Sequence, residues 1–136
     1  MKQKSKSFYL FTTALLGAIA IGLGAFGAHS LKEVLTADQL DSFETAVRYQ
    51  MYHVIVLLIV LTGALLSSKV KKIISLLFIL GILLFSGSIY AITFGIPAEF
   101  IWFITPIGGL MFIVGWVLLA IHFLKSKAAH WKNDMK

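Results

Sequence analysis

Four long apolar runs alternate with short polar connections along the chain. They cover roughly residues 8–28, 47–66, 73–93 and 100–124. Each approaches or exceeds the ~20 residues with which a helix crosses ~30 Å of hydrocarbon. Short connections make consecutive helices antiparallel, and the bilayer requires every backbone polar group to be satisfied within its own helix. The pattern predicts an all-α integral membrane protein, a four-helix antiparallel transmembrane bundle forming a single domain over residues 1–136.

The second run departs from this simple pattern. Its purely apolar part, Val54 to Leu66, has thirteen residues and covers only about 20 Å. A full crossing counted back from Leu66 reaches Val47, so the span takes in part of "FETAVRYQMYH". Arg48 then lies near the outer boundary, and His53 about 10 Å below that boundary. The helix is expected to begin earlier, as an amphipathic arm over 37–46 continuous with the span. Thr36 and Gln39 have capping-box spacing, and Asp38 and Asp41 suit a helix N-terminus. At 100° per residue, Leu40, Phe43, Val47, Met51 and Val54 share an apolar arc. Arg48, Thr45, Tyr52, Tyr49 and His53 fall roughly opposite, with Glu44 four residues before Arg48 in the favourable order for an ion pair. The expectation is that the apolar arc meets lipid and the polar arc faces protein or a wet cavity. In the competing picture Arg48 snorkels to the headgroups and Tyr49 and Tyr52 are interfacial aromatics.

Composition supports the membrane assignment. Of 136 residues, 59% are hydrophobic and 13% charged, and the mean hydropathy is +0.91, too little polarity to cover a soluble globule. The absence of cysteine excludes disulfides and thiolate chemistry. The net charge of +6 flanks apolar runs, which points to anionic lipid at the cytoplasmic face rather than nucleic acid. Ten of the twelve basic residues lie on one side: Lys2, Lys4, Lys6, Lys69, Lys71, Lys72, Lys125, Lys127, Lys132 and Lys136. Lys32 and Arg48 lie on the other. The positive-inside rule places both termini in the cytoplasm of a multi-pass plasma-membrane protein. A cleaved signal peptide is the rival reading of the N-terminus, but the first apolar run is longer than such segments usually are.

Polar groups from all four runs reach the outer third of the bundle. His29 ends the first, and Ser86 and Tyr90 share a face of the third with Thr93. Thr105 precedes Pro106 in the fourth. Either Pro106 frees a carbonyl inside a longer helix, or Thr105 caps a new helix with Pro106 at its first position. The candidate ligand-binding cluster is His29, Glu44, Arg48, Tyr49, Tyr52, His53, Ser86, Tyr90 and Thr105. Gly17, Ala20, Gly24, Gly27, Gly108 and Gly109 are candidate packing positions, where small residues let helices approach closely. The inner half is nearly all apolar, apart from scattered groups such as Thr62 and Ser75.

The stretches "GAFGAHSL", "FETAVRYQMYH", "LFSGSIY" and "TPIGG" together resemble a bacterial family of small four-helix membrane proteins. That family is catalogued as domain of unknown function 423 and has a eukaryotic relative called transmembrane protein 256. The resemblance covers nearly the whole chain. It implies a four-span plasma-membrane protein and supplies no activity or cofactor. The matching positions include Gly24, Gly27, His29, Tyr49, Gln50, Tyr52, His53, Ser86, Gly87, Thr105, Pro106 and Gly109.

Three functional classes follow. A binding or structural protein would hold a lipid headgroup, small solute or partner helix in an outer polar pocket, with Arg48 attracting an anion. A small transporter or proton-coupled carrier would use His53, but four helices with an apolar inner half would then need a homo-oligomer to supply the path. A haem or metal protein would use His29 and His53, yet no Glu-x-x-His pair or thiolate supports it. The expectation is no cofactor and no metal. No catalytic motif is present: Ser86 and Ser88 lack a nucleophile elbow. His122 and His130 lie on the inner side, in a C-terminal stretch that reads as a basic tail beside lipid.

Overall fold

The computed structural model describes the backbone of residues 3–134 and the side chains of residues 3–125. Lys2 and Lys136 lie outside the described residues, as do the side chains of Lys127, His130 and Lys132. Helix α1 spans Gln3–His29, α2 Ala37–Thr62, α3 Ser68–Thr93, the short α4 Ala98–Ile101, and α5 Ile104–Asp134. A 3-10 turn, Leu31–Glu33, joins α1 to α2. Among the described residues, four helices are long and apolar enough to cross a membrane. The fold is an all-α, antiparallel four-helix membrane bundle. One end carries the connections α1–α2 and α3–α5 (the arm end). The other carries the α2–α3 connection and its lysines (the lysine end).

The sequence sets each boundary locally. Thr36 Oγ1 accepts the Gln39 N–H at 3.3 Å, and Gln39 Oε1 accepts the Thr36 N–H at 3.0 Å. This reciprocal box starts α2 well ahead of its apolar part, so the arm and the span are one helix. The helix ends at Thr62, four residues short of the apolar run's end at Leu66. Gly63 turns extended there (φ −61°, ψ 157°), and a Cβ on it would stand 2.8 Å from the Ile59 carbonyl oxygen. Ser67 then caps α3, which begins at Ser68 rather than near Ile73. At the other end of α3, Gly95 takes φ +102°. The Ile96 N–H reaches back to the Ala91 carbonyl at 3.0 Å, a left-handed helix stop that glycine adopts without a Cβ penalty. The fourth apolar run is not one helix: α4 ends at Ile101 and α5 starts at Ile104. Pro106 falls in the first turn of α5, where its missing N–H leaves no internal bond unmade.

α2 packs between α1 and α3, and α3 packs in turn against α5. No comparable packing joins α1 to α5 among the described residues, so the bundle is open along that seam. The core runs through α2, α3 and α5, with Leu57, Ile74, Phe78, Ile82, Phe112 and Leu119 at its centre. Small residues set the helix spacing. A Cβ on Gly17 would stand 3.2 Å from Val54, on Gly24 3.4 Å from Val47, and on Gly27 2.9 Å from the Phe43 ring. Ala20, on the same stripe, is fully buried. Gly108 lies directly on the α3 backbone at Leu84 and Phe85, whereas a Cβ on Gly109 would make only ordinary contact at 3.7 Å. Two further close approaches, at positions outside the predicted packing set, are Gly81 against Phe112 and Gly115 against Phe78.

Candidate functional site

The buried face of α2 carries Phe43, Ala46, Gln50, His53, Val54 and Leu57. Two polar residues therefore enter the protein interior at heptad-like positions. Gln50 joins three helices. Its Nε2 donates to the Leu16 carbonyl of α1 at 2.7 Å, and its Oε1 accepts the Tyr90 hydroxyl of α3 at 3.0 Å. The Tyr90 ring packs against Phe43, with centroids 5.2 Å apart. Beside it, Ser86 donates from α3 to the Ala46 carbonyl of α2 at 2.8 Å. Ser88 and Thr105 share a 2.6 Å hydrogen bond between α3 and α5. Interhelical hydrogen bonds of this kind add to the packing that drives association in lipid.

His53 closes the network toward α5. Its Nδ1 lies 2.7 Å from the Tyr49 carbonyl, and its Nε2 lies 3.3 Å from the Trp116 Nε1. A carbonyl only accepts and an indole N–H only donates, so this geometry fits the neutral imidazole with its proton on Nδ1. The ring stacks on Phe112 (centroids 3.5 Å apart, planes 10° apart) and meets the edge of Phe78 at 5.0 Å. Both ring nitrogens are engaged by protein groups. No group of three or more His, Asp or Glu is placed to hold a metal ion among the described residues.

The outward face of α2 differs from the sequence expectation. The arc of Phe43, Val47 and Val54 meets α1, not lipid, because its bulky side chains fill the stripe of small residues there. Arg48 and Tyr52 point away from the bundle and are exposed. Arg48 pairs with Asp41 at 3.3 Å and Thr45 at 3.0 Å, all on its own helix, rather than with Glu44. Asp41 lies two turns toward the arm end, so the guanidinium reaches outward along the helix. Tyr49 is half-exposed and stacks on Phe85 at 5.0 Å. His29 and Glu44 are exposed. Of the nine candidate residues, the structure thus brings His53, Ser86, Tyr90 and Thr105 into the interior, with Tyr49 at their edge. It leaves His29, Glu44, Arg48 and Tyr52 outside.

Three members of the network were not among those candidates: Gln50, Ser88 and Trp116. Gln50 carried a signal in its spacing. It lies seven residues after Phe43 and seven before Leu57 on the face that proves buried.

The model for a family described as "Protein of unknown function (DUF423)" matches residues 23–109, from the last turns of α1 to the first of α5. The chain belongs to this family. Among its relatives, a UPF0382 membrane protein of Haemophilus influenzae is 43% identical, covering 90% of this chain and 98% of its own length. UPF0382 membrane protein SSP2132 of Staphylococcus saprophyticus is 42% identical over 86% of this chain and 97% of its own. UPF0382 inner membrane protein YgdD of Escherichia coli is 34% identical over 88% and 92%. No solved structure matches the chain. This DUF423 chain is an integral membrane protein. The DUF423 match includes Gln50, His53, Ser86 and Thr105 and ends before Phe112 and Trp116.

Proposed function

We propose that this chain is a multi-pass plasma-membrane protein with both termini cytoplasmic, acting as a binding protein for a zwitterionic lipid headgroup at its arm end. Its buried polar network is structural. The observation that carries this reading is a division of labour on α2. Gln50 and His53 are satisfied inside the bundle, while Asp38, Asp41, Arg48 and Tyr52 are exposed on its outer part.

Depth follows from the end of α2 at Thr62. Twenty residues back from there is Phe43, which places Arg48 about 8 Å and His53 about 15 Å below the outer boundary. A guanidinium at that depth on a lipid-facing side reaches toward the headgroups, in the direction of its contact with Asp41. The exposed stripe borders a groove of about 260 Å³ lined by Asp38, Gln39 and Ser42 of α2 and Ile89, Ile92 and Thr93 of α3. A headgroup phosphate suits Arg48, and its ammonium suits Asp38 or Asp41. The carrier reading lacks comparable support. Toward the lysine end, Thr13 and Ser75 are the buried polar side chains among the described residues.

The test titrates phosphoethanolamine into purified protein held in a neutral detergent, followed by calorimetry. Saturable binding is expected, weakened roughly ten-fold by Arg48→Gln and by Asp38→Asn. No saturable heat, or affinity unchanged in both variants, rejects the headgroup reading.

A further inference from the structure

The halves of α2 and α5 toward the lysine end do not close on each other. Between them lies a lateral cleft of about 240 Å³, lined by Val56, Ile59, Val60 and Leu66 on one side and Trp116 and Phe123 on the other. Its lining is almost wholly apolar, and it runs from Trp116, which holds His53, to the α2–α3 connection. Both bordering helices cross the membrane, so the medium facing the cleft is hydrocarbon. An apolar concavity there is filled by a chain of matching chemistry.

The mouth at the lysine end supplies charge. Lys71 Nζ donates to the Gly63 carbonyl, and Gly63 itself lines the cleft. An ammonium has three N–H donors, so two remain available. Lys69 and Lys72 flank Lys71, and both are exposed. His122 reaches the neighbouring Leu65 carbonyl at 3.4 Å. Residues 63–72 and 119–125 contain no acidic side chain.

We propose that this cleft is a binding site for an anionic phospholipid, with one acyl chain between α2 and α5 and the phosphate at Lys71. An apolar trough ending on an anchored cation matches an amphiphile with a negative head. A zwitterionic lipid would bring its own ammonium to a mouth already crowded with cations. Clustered lysines beside a span attract anionic lipid through the same electrostatics. The site is separate from the headgroup surface at the arm end and stands or falls without it.

Trp116 lines the cleft and reports on its occupant. Full-length protein carrying Trp102→Phe and Trp131→Phe leaves Trp116 as the sole tryptophan. It is reconstituted in phosphatidylcholine vesicles containing a minor fraction of either brominated phosphatidylglycerol or brominated phosphatidylcholine. Fluorescence quenching is expected to favour phosphatidylglycerol, and Lys71→Gln to reduce that preference about five-fold. Val56→Phe, which fills the trough, is expected to reduce quenching by both lipids. Equal quenching by the two lipids would make the cleft an ordinary annular surface. Quenching by neither would mean that protein, such as a second copy, covers it. A preference unchanged by Lys71→Gln would remove the headgroup assignment. Each of these three results overturns the proposal.

Discussion

Gly108→Val is expected to separate α5 from α3 and destabilise the fold by about 3 kcal/mol or more. A Cβ at this position would collide with the α3 backbone at Leu84 and Phe85. Backbone cannot rotate aside as a side chain can, so the two helices must move apart. That movement loosens the tilted contact of the Phe78 and Phe112 rings and draws Thr105 away from Ser88. In lipid, where close van der Waals packing drives helix association, such a loss is not recovered by hydrophobic burial. Gly109→Ala is the control, since a Cβ there meets the Phe85 ring at 3.7 Å, an ordinary contact. Unfolding in mixed micelles of increasing dodecyl sulfate content measures both. A Gly108→Val variant as stable as the control would contradict the α3–α5 geometry.

Gln50→Leu is expected to cost about 1–3 kcal/mol in the same assay. The substitution keeps side-chain bulk and gains apolarity, which on hydropathy alone should help a membrane helix. The structure predicts the reverse. Leucine abandons the bond to the Leu16 carbonyl and leaves the Tyr90 hydroxyl, 3.0 Å from the lost acceptor, without its partner. Tyr90→Phe should remove only the second bond and cost less. In the double variant Tyr90→Phe should add little to Gln50→Leu, because the pair shares one interaction. Full additivity would show that Gln50 and Tyr90 act separately.

The architecture was legible because it rests on length and charge. Four apolar runs separated by polar connections specify four helices, and Thr36 with Gln39 marks where α2 starts. The facing of α2 was not legible from its own residues. A helical wheel sorts Val47 and Val54 from Arg48 and Tyr52, but lipid and protein interior are equally apolar, so the wheel does not say which arc turns inward. The deciding information sat on another helix. Gly17, Gly24 and Gly27 make a groove on α1 that large side chains must fill, and Val54, Val47 and Phe43 match its spacing. Once that face turns inward, Gln50 goes with it and Arg48 is carried outward. Ser88 and Trp116 were hidden for a different reason. Their roles depend on the offset between α3 and α5 and between α2 and α5, which no local pattern encodes. The end of α2 at Gly63 was also obscured, because apolar residues continue past it to Leu66.

The central claim is that α2 takes its polar turns into the membrane with Gln50 and His53 against protein and Arg48 and Tyr52 against lipid and headgroups. The chain has no cysteine, so single cysteines can be introduced at these four positions, spin-labelled in detergent and returned to bilayers, where collision with oxygen dissolved in the hydrocarbon reports exposure to lipid. Labels at Arg48→Cys and Tyr52→Cys are predicted to be mobile and to meet oxygen, and those at Gln50→Cys and His53→Cys to be immobilised and shielded from it. Free oxygen access at positions 50 and 53, with shielding at 48 and 52, would contradict the orientation on which the account depends.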